Sequence, residues 1–452
     1  MKEIINNPNS IKNIDITTNK VRALIIDEND NILITKYADM YMLPGGKIEK
    51  GEKPICALIR ELNEELGILF DKNEINEFIT YNNYLSNYPI VDKNERKNKL
   101  NKTIYYIIKT NKEINKDNLL LTNREKENNF SIKKVNLEDA IKLINNYNST
   151  NERNEYFKKE ILDILNEYNK TIDMHTHSSY SDGSFTPDEL INLAIKKNIG
   201  VLAITDHDSI EGLKNINKEL LLNNSIDIIN GIELSAKRDK GKMHILGLGI
   251  DIYNKSLNEK LEIFKDININ YVLSFLEELK KDYKIYFSYK EIKDLVNSNH
   301  NLGRPDIAKM LVKRGYAKNI PDAFDKYLID IYNKLGNRKK GIPYEECISL
   351  ILESGGIPVL AHPNTLEIND KELLILLKDM IKCGLQGIEV YHSSHSKEDI
   401  EKYLKIASEL NLLISGGSDY HGPSVKPNVE LGSGINNNLK IKKLSILDKI
   451  KR

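Results

Sequence analysis

Residues 46–68 read GKIEKGEKPICALIRELNEELGI, and this stretch decides the fold of the first part of the chain. Pro54 suits the first turn of a helix, and Gly67 suits its C-terminal end. Between them the apolar residues recur at helical spacing, at Ile55, Leu58, Ile59, Leu62 and Leu66. The stretch therefore predicts a loop followed by an amphipathic helix.

The polar face of this helix carries crowded carboxylates. Glu61, Glu64 and Glu65 project within about a quarter-turn of one another, because each residue advances a helix by ~100°. An acidic helix face alone is usually solvated, and its like charges repel. Oxygen-only ligands suit Mg²⁺ or Mn²⁺, which would offset that repulsion, and Arg60 can orient a carboxylate.

The spacing around these carboxylates is specific. Gly46 and Glu52 followed by Arg60-Glu61-Leu62-x-Glu64-Glu65-x-Gly67-Ile68 resembles the Nudix box at every defined position. The resemblance implies a mixed sheet between helices, an α/β/α sandwich, and cleavage of a nucleoside diphosphate linked to a second group.

The Nudix resemblance also implies roles for single residues. Glu61, Glu64 and Glu65 would be metal ligands, with Glu61 also a base candidate and Arg60 part of the catalytic set. Glu52 and the Gly46 carbonyl would complete the metal shell. Glu125 or Glu127, in a later segment, is a weaker base candidate.

Composition and charge describe an ordinary globular protein. Lys+Arg and Asp+Glu both number 66 in 452 residues, so no global field favours nucleic acid or membrane. The three cysteines are scattered, which fits a reducing cytoplasm. We expect no signal peptide, no membrane span and no stable protein partner. The Lys-rich stretch 92–102 is expected to be a solvated loop.

Histidine separates the two parts of the chain, because all nine histidines lie at or after His175. In the second part short apolar runs alternate with helical patterns, which predicts a parallel βα sheet or barrel. Histidines and acids lie at or near the ends of these predicted strands, mostly the C-terminal ends, where βα barrels carry their active sites. They are His175, His177, Asp182, His207, Glu233, His244, His362, Asp419 and His421.

This set resembles the PHP (polymerase and histidinol phosphatase) family. The resemblance implies a distorted seven-stranded βα barrel with up to three divalent metals, Mn²⁺, Zn²⁺ or Fe²⁺. The implied ligands of one metal are His175, His177, Glu233 and Asp419. Glu233 would bridge to a second metal held by His244 and His362. Asp182, His207 and His421 would hold the third, with Asp206 behind the ligands.

Within the family, the segment NLGRPDIA at 301–308 resembles the GRPHIA segment of bacterial enzymes that act on 3′,5′-nucleoside bisphosphates and short RNA. Arg304 is therefore a phosphate-binding candidate, with a surface salt bridge as the alternative. Asp306 replaces the usual histidine, which puts the substrate in question. Ordinary surface roles are expected for His300, His392 and His395, with an approach of His395 to the site as the alternative.

These patterns predict a Nudix domain at 1–168 and a PHP domain at 169–452, with a helical insertion at about 254–350. The expected function is bifunctional hydrolysis of nucleotides or short RNA in the cytoplasm. One alternative is a histidinol-phosphatase-like enzyme, which the insertion and the 301–308 segment disfavour. The other is a PHP phosphoesterase regulated by a non-catalytic Nudix sensing module, which the intact carboxylates of the box disfavour.

Overall fold

The computed structural model describes residues 2–7, 13–38, 40–90, 95–147, 152–222, 225–238, 240–296, 302–335 and 342–450. The chain forms two compact units, Met1–Asn169 and Lys170–Arg452. Among the helices in these ranges, none combines the length and the apolar character needed to cross a bilayer.

In its described residues, the first unit contains seven strands and four α-helices. The strands are β1 (Lys2–Asn6), β2 (Ile16–Ile26), β3 (Asn31–Tyr37), β4 (Met40–Met42), β5 (Ile75–Ile90), β6 (Glu95–Lys109) and β7 (Ser131–Asn136). The helices are α1 (Pro54–Leu66), α2 (Asn123–Glu127), α3 (Leu137–Asn145) and α4 (Glu152–Tyr168).

The strands of the first unit form one mixed sheet in the order β1-β5-β6-β2-β3-β4, with β7 paired to β3. β2 runs parallel to β6, whereas β5 and β6 are antiparallel. Alternate residues of β2 serve opposite faces: Val21 packs with Leu58 and Leu62 of α1, and Leu24 packs with Ile164 of α4. This is the helix–sheet–helix sandwich predicted from the sequence.

One sequence prediction in this unit is wrong. The Lys-rich stretch 92–102, expected as a loop, belongs to β6 from Glu95 onward, and residues 92–94 lie outside the described part. The strand persists because β5 pairs with it along its full length. The amine of Lys99 also lies 4.7 Å from the centroid of the Tyr88 ring, so a polar strand can cover an aromatic surface.

Seven strands and eleven α-helices occur in the part of the second unit that the structure describes. The strands are β8 (Thr171–Asp173), β9 (Ile199–Ile204), β10 (Asp227–Ala236), β11 (Met243–Leu248), β12 (Ile357–Leu360), β13 (Gly387–His392) and β14 (Leu413–Gly417). The helices are α5 (Pro187–Lys196), α6 (Glu211–Lys214), α7 (Lys218–Leu221), α8 (Lys255–Tyr283), α9 (Tyr289–Val296), α10 (Arg304–Lys313), α11 (Ile320–Ala323), α12 (Ile329–Leu335), α13 (Tyr344–Glu353), α14 (Asp370–Lys382) and α15 (Lys397–Leu410).

These seven strands follow the order β14-β13-β12-β11-β10-β9-β8. All neighbours are parallel except β11, which is antiparallel to both β10 and β12. The edge strands meet because the Met174 amide donates to Gly416 O at 3.1 Å and the His177 amide donates to Tyr420 O at 2.9 Å. The result is a nearly closed, distorted seven-stranded barrel, as expected.

The barrel has an apolar interior and an apolar outer layer. Met174, Val359 and Leu246 pack inside with Ile446 from the C-terminal segment. The alternate strand residues pack outward against the surrounding helices, for example Ile388 near Leu377 of α14. The insertion between β11 and β12 is helical, and α8 and α10 enclose a separate cluster around Phe275 and Ile307. Strand ends on one rim are thereby fixed beside the inserted helices.

Candidate metal centres

The carboxylates of α1 are arranged around one guanidinium group. Arg60 donates to both oxygens of Glu52 at 3.1 Å, and also to Glu61 at 3.1 Å and Glu64 at 3.3 Å. Its hydrogen bonds lower the pKa of the Glu52 carboxyl. The structure therefore brings four of the five residues predicted for this site into one network, with Arg60 orienting the acids.

Glu61 and the fifth residue, Glu65, face the loop before the helix. The Gly45 amide donates to Glu65 Oε2 at 2.9 Å, and Glu65 is buried. A Cβ on Gly46 would lie 2.3 Å from a Glu61 carboxylate oxygen, so any larger residue would displace this carboxylate from its present position. Burial raises the pKa of Glu61 despite the opposing charge of Arg60. The loop and the helix thus enclose a carboxyl group that favours a bound cation.

The weaker base candidates lie on α2. Glu127 is exposed at the end of this short helix. The side chain of Glu125 lies outside the described residues.

In the second unit, Glu233 is the centre of the predicted cluster. Its Oε2 atom lies 3.3 Å from Nε2 of His175 and 3.2 Å from Nε2 of His177. The Oδ1 atom of Asp419 lies 3.2 Å from the same nitrogen of His177 and 3.6 Å from that of His175. These four buried side chains, predicted as one ligand set, therefore point at a common volume.

The other oxygen of Glu233 faces the second predicted set. Oε1 lies 2.8 Å from Nδ1 of His244 and 2.9 Å from Nε2 of His362. These two ring nitrogens are 3.2 Å apart. Glu233 consequently lies between these two groups of side chains.

The third predicted set surrounds Asp182. Its Oδ1 lies 3.1 Å from Nε2 of His421, and its Oδ2 lies 3.9 Å from Nε2 of His207. His177 joins this group through Nδ1, 3.7 Å from Asp182 Oδ1. The Nδ1 atom of His421 lies 2.8 Å from the Asp419 carbonyl oxygen, which accepts its proton and leaves the Nε2 lone pair facing Asp182.

The donor chemistry of the cluster fits divalent cations. Nε2 of His175, both nitrogens of His177, Oδ1 of Asp182 and Oε2 of Glu233 are buried without a well-formed hydrogen bond. Buried polar atoms normally have partners, so these atoms indicate a ligand that is a cation. Four groups of these side chains have ligand atoms within 4.8 Å of one another. Mixed imidazole and carboxylate ligation suits Zn²⁺, Mn²⁺ or Fe²⁺.

The charges of the cluster agree with this interpretation. Burial would raise the pKa of Glu233, but the imidazoles of His207, His244 and His175 hold it well below its usual range. Glu233 is therefore an anion inside the protein, which costs free energy unless positive charge lies beside it.

Two ligand candidates have unusual backbone conformations. Asp419 has φ of 55° and His362 has φ of 23°, in the region that non-glycine residues avoid. Such strain persists where the surrounding structure enforces it, which is common at functional sites. The sequence pattern around these two residues does not predict their positive φ angles.

Glu389 is a site residue that sequence reasoning missed. It is fully buried on β13, accepts from Nδ1 of His175 at 2.9 Å and accepts from the His362 amide at 2.7 Å. Burial would raise its pKa, but His175 and His392 lower it to about 2. The only available signal was an acid between Ile388 and Val390 in an apolar strand. Asp206, expected behind the ligands, is buried and accepts hydrogen bonds from Ser178 and Ser181.

The surface roles expected for two leftover histidines are wrong. His392 and His395 are both buried, each with 4% of its surface exposed. The His392 ring lies 6.0 Å from the His175 ring, whereas His395 packs 4.9 Å from the Tyr403 ring. His392 ends β13 and His395 lies just after it, and their local sequence did not indicate that both are buried. His300 lies outside the described residues.

A cavity of about 390 Å³ opens beside the cluster. One wall contains Asp182, His207 and His421, and the wall from the insertion contains Arg304 and Phe324. Four cationic side chains line the cavity: Arg238, Lys242, Arg304 and Lys426. This concentration of positive charge suits an anionic ligand.

Arg304 is half-buried and held by aromatic rings. Its guanidinium carbon lies 4.4 Å from the centroid of Tyr332 and 5.7 Å from that of Phe324. Phe324 begins a π-helical turn, Phe324–Leu328, that interrupts the helices of the insertion. Asp306 does not line the cavity; it accepts from the Gly303 amide at 2.9 Å and caps α10.

Comparisons with known proteins agree with this geometry. A family model described as PHP domain matches residues 173–342, and one described as NUDIX domain matches residues 17–153. The chain is 31% identical over 253 residues to a 3′,5′-nucleoside bisphosphate phosphatase of Chromobacterium violaceum, covering 56% of this chain and 87% of the relative. It is 30% identical over 262 residues to the 5′-3′ exoribonuclease Rnm of Escherichia coli, covering 58% and 87%.

A solved structure is similar to the second unit. It is a metal-dependent phosphoesterase from Bifidobacterium adolescentis, with a TM-score of 0.51 and 28% identity, and the match covers 60% of this chain and 93% of that one. The structural match supports the barrel of the second unit.

Proposed function

The chain belongs to the PHP family and carries a Nudix domain in its first unit, and from this membership we propose a bifunctional metal-dependent hydrolase of nucleotides. The second unit would hydrolyse phosphomonoesters or phosphodiesters of nucleotides or short RNA, such as 3′,5′-nucleoside bisphosphates. The first would cleave a nucleoside diphosphate linked to another group. The observation that carries the proposal is the convergence of buried, incompletely bonded imidazoles and carboxylates on Glu233.

In the second unit, some residues would act on the reacting phosphate through bound metal ions, and others would contact the rest of the substrate. Divalent ions held by the three ligand sets would polarise the phosphoryl oxygens and lower the pKa of a bound water. Asp182, His207 and His421 line the cavity and therefore border the substrate as well as the ligand groups. Glu233 stays ionised at neutral pH, since its pKa is held low, and so keeps the imidazoles in place.

The cations on the cavity wall would bind a second anionic group. Lys242 has a pKa lowered by burial and by the charges of Arg304 and Lys426, so a bound phosphate would relieve their mutual repulsion. The rings of Tyr332 and Phe324 restrict Arg304, which reduces the entropy lost when it binds phosphate. A substrate with two phosphates would therefore match this cavity.

In the first unit, Glu61, Glu64 and Glu65 would hold Mg²⁺ or Mn²⁺ with Glu52. Arg60 positions three of these acids, and Gly46 allows the Glu61 carboxylate to approach the loop. Glu61, whose pKa is raised by burial, is the carboxyl best able to take a proton from an attacking water.

A crossed experiment tests both activities in the full chain. With Mn²⁺, the wild type should release phosphate from adenosine 3′,5′-bisphosphate and hydrolyse at least one compound in a panel of nucleoside diphosphate derivatives. Glu233→Gln should lower the first activity by roughly 100-fold or more and spare the second. Glu61→Gln should do the reverse, and the exposed Glu409→Gln should change neither.

Other outcomes would favour the alternatives. If neither substrate class is turned over by the wild type, the bifunctional proposal fails. Hydrolysis of histidinol phosphate in preference to the bisphosphate would support a histidinol-phosphatase-like enzyme. Bisphosphate turnover with every diphosphate compound inert would support a sensing role for the first unit.

A further inference from the structure

His392 lies inside the ligand cluster, although none of the three ligand sets predicted from the sequence contains it. It is the last residue of β13 and is buried. Its ring centroid lies 6.0 Å from that of His175 and 5.4 Å from that of His362. A buried imidazole in this position faces the site and needs a role.

Hydrogen bonds determine which ring nitrogen of His392 carries the proton. The Ser394 amide donates to Nδ1 at 3.1 Å. The Ser394 hydroxyl lies 2.8 Å from the same nitrogen and itself accepts from Asn364 Nδ2 at 2.9 Å, so it donates its own proton to Nδ1. A backbone amide can only donate, so Nδ1 presents its lone pair and the neutral ring is protonated at Nε2.

The protonated nitrogen faces Asp419. Nε2 of His392 is buried, makes no well-formed hydrogen bond and lies 3.4 Å from Asp419 Oδ2. Lys426 contacts the same oxygen, whereas Oδ1 of Asp419 lies near His175 and His177. Oδ2 of Asp419 thus accepts from Lys426 and lies within reach of the Nε2–H of His392, whereas Oδ1 faces the proposed metal.

We infer that His392 is a positioning residue whose Nε2–H holds Asp419 Oδ2 and so directs Oδ1 to the metal. This inference rests on the proposed function, because it needs a metal at the cluster. The side chains of His175, Glu389 and His392 could by spacing hold a further ion. However, both Glu389 oxygens already accept hydrogen bonds, and the proton on His392 Nε2 blocks its lone pair.

Substitution of His392 by Gln or by Glu, which have nearly the same shape, distinguishes a hydrogen-bond donor from a metal ligand at this position. The amide nitrogen of His392→Gln can occupy the position of Nε2 and donate, whereas His392→Glu offers only oxygens there. The Mn²⁺ affinity of the full chain can be measured by competition with a chelating dye. We expect the affinity of His392→Gln to lie within about threefold of the wild-type value. His392→Glu should lower it by roughly 10- to 100-fold.

His395→Gln is the matched control, because His395 is equally buried but donates from Nδ1 to Val390 O at 2.8 Å and packs on Tyr403. It should leave Mn²⁺ affinity unchanged. If His392→Glu does not fold, as judged by the unfolding of the metal-free protein, His392→Leu takes its place. If His392→Glu binds Mn²⁺ tightly and His392→Gln binds it weakly, His392 is a metal ligand and the inference is wrong. The inference also fails if both variants keep the wild-type Mn²⁺ affinity or both lose it equally. A wild type that binds no Mn²⁺ would instead reject the proposed function.

Discussion

At the scale of single residues, Glu389 shows how a group without contact to substrate shapes the site. It accepts the Nδ1 proton of His175 at 2.9 Å, so the lone pair on Nε2 of His175 faces Glu233. Its second oxygen holds the amide of His362, whose backbone is strained. One buried carboxylate therefore fixes a ligand candidate from each of two sets.

Removing this acceptor should weaken metal binding. We expect Glu389→Ala to lower the Mn²⁺ retained per chain after dialysis against a chelator, with affinity reduced by roughly 10- to 100-fold. Glu389→Gln should have a smaller effect, because its amide oxygen can still accept from His175. Elemental analysis of the dialysed protein measures this, and full retention in Glu389→Ala would contradict the role.

The predictability of these residues depends on the range of their contacts. His175 and His177 were found because two residues apart on an extended chain face one side. Glu389 and its partner His175 are separated by 214 positions, so no local pattern links them. His392 could not be placed because its neighbours in the site, His175 and His362, come from the segments after β8 and β12.

At the scale of elements, β2 buries a lysine against α4. Lys20 is 8% exposed, and its amine lies 4.1 Å from the centroid of the Phe157 ring. Burial and the charge of Arg22 lower the pKa of Lys20 to about 7, although Glu160 opposes them. The packing of this strand and helix therefore depends on pH.

The sign of that dependence follows from proton binding. An unfolded lysine keeps a pKa near 10.5, so between pH 7 and 10.5 the unfolded chain binds more protons and stability rises with pH. Lys20→Met should therefore gain unfolding free energy over wild type at pH 6, and the gain should shrink by roughly 2 kcal/mol at pH 9. Urea unfolding followed by circular dichroism tests this, with exposed Lys102→Met as control; a gain independent of pH would refute it.

The helices and strands that could be predicted were those whose apolar residues recur at regular spacing. The apolar stripe of α1 and the βα rhythm of the second unit gave the fold class. The reversed direction of β11 and the early start of β6 were missed, because pairing with β10 and β5 decides them. Tertiary contacts override local polarity in such strands.

At the scale of the molecule, each of the two compact units contains a cluster of carboxyl groups whose ionised form burial alone would disfavour. In the first unit Arg60 offsets the crowding, and in the second the buried atoms around Glu233 lack sufficient partners. The central claim is that divalent cations occupy the second cluster. The positions of bound cations can be measured without knowing the substrate.

Anomalous diffraction at the manganese absorption edge, from crystals grown with Mn²⁺, measures these positions directly. We expect anomalous peaks at coordination distance from Glu233, with His175 and His177 around one of them. Crystals that show no anomalous density between these side chains at saturating Mn²⁺ would contradict the claim.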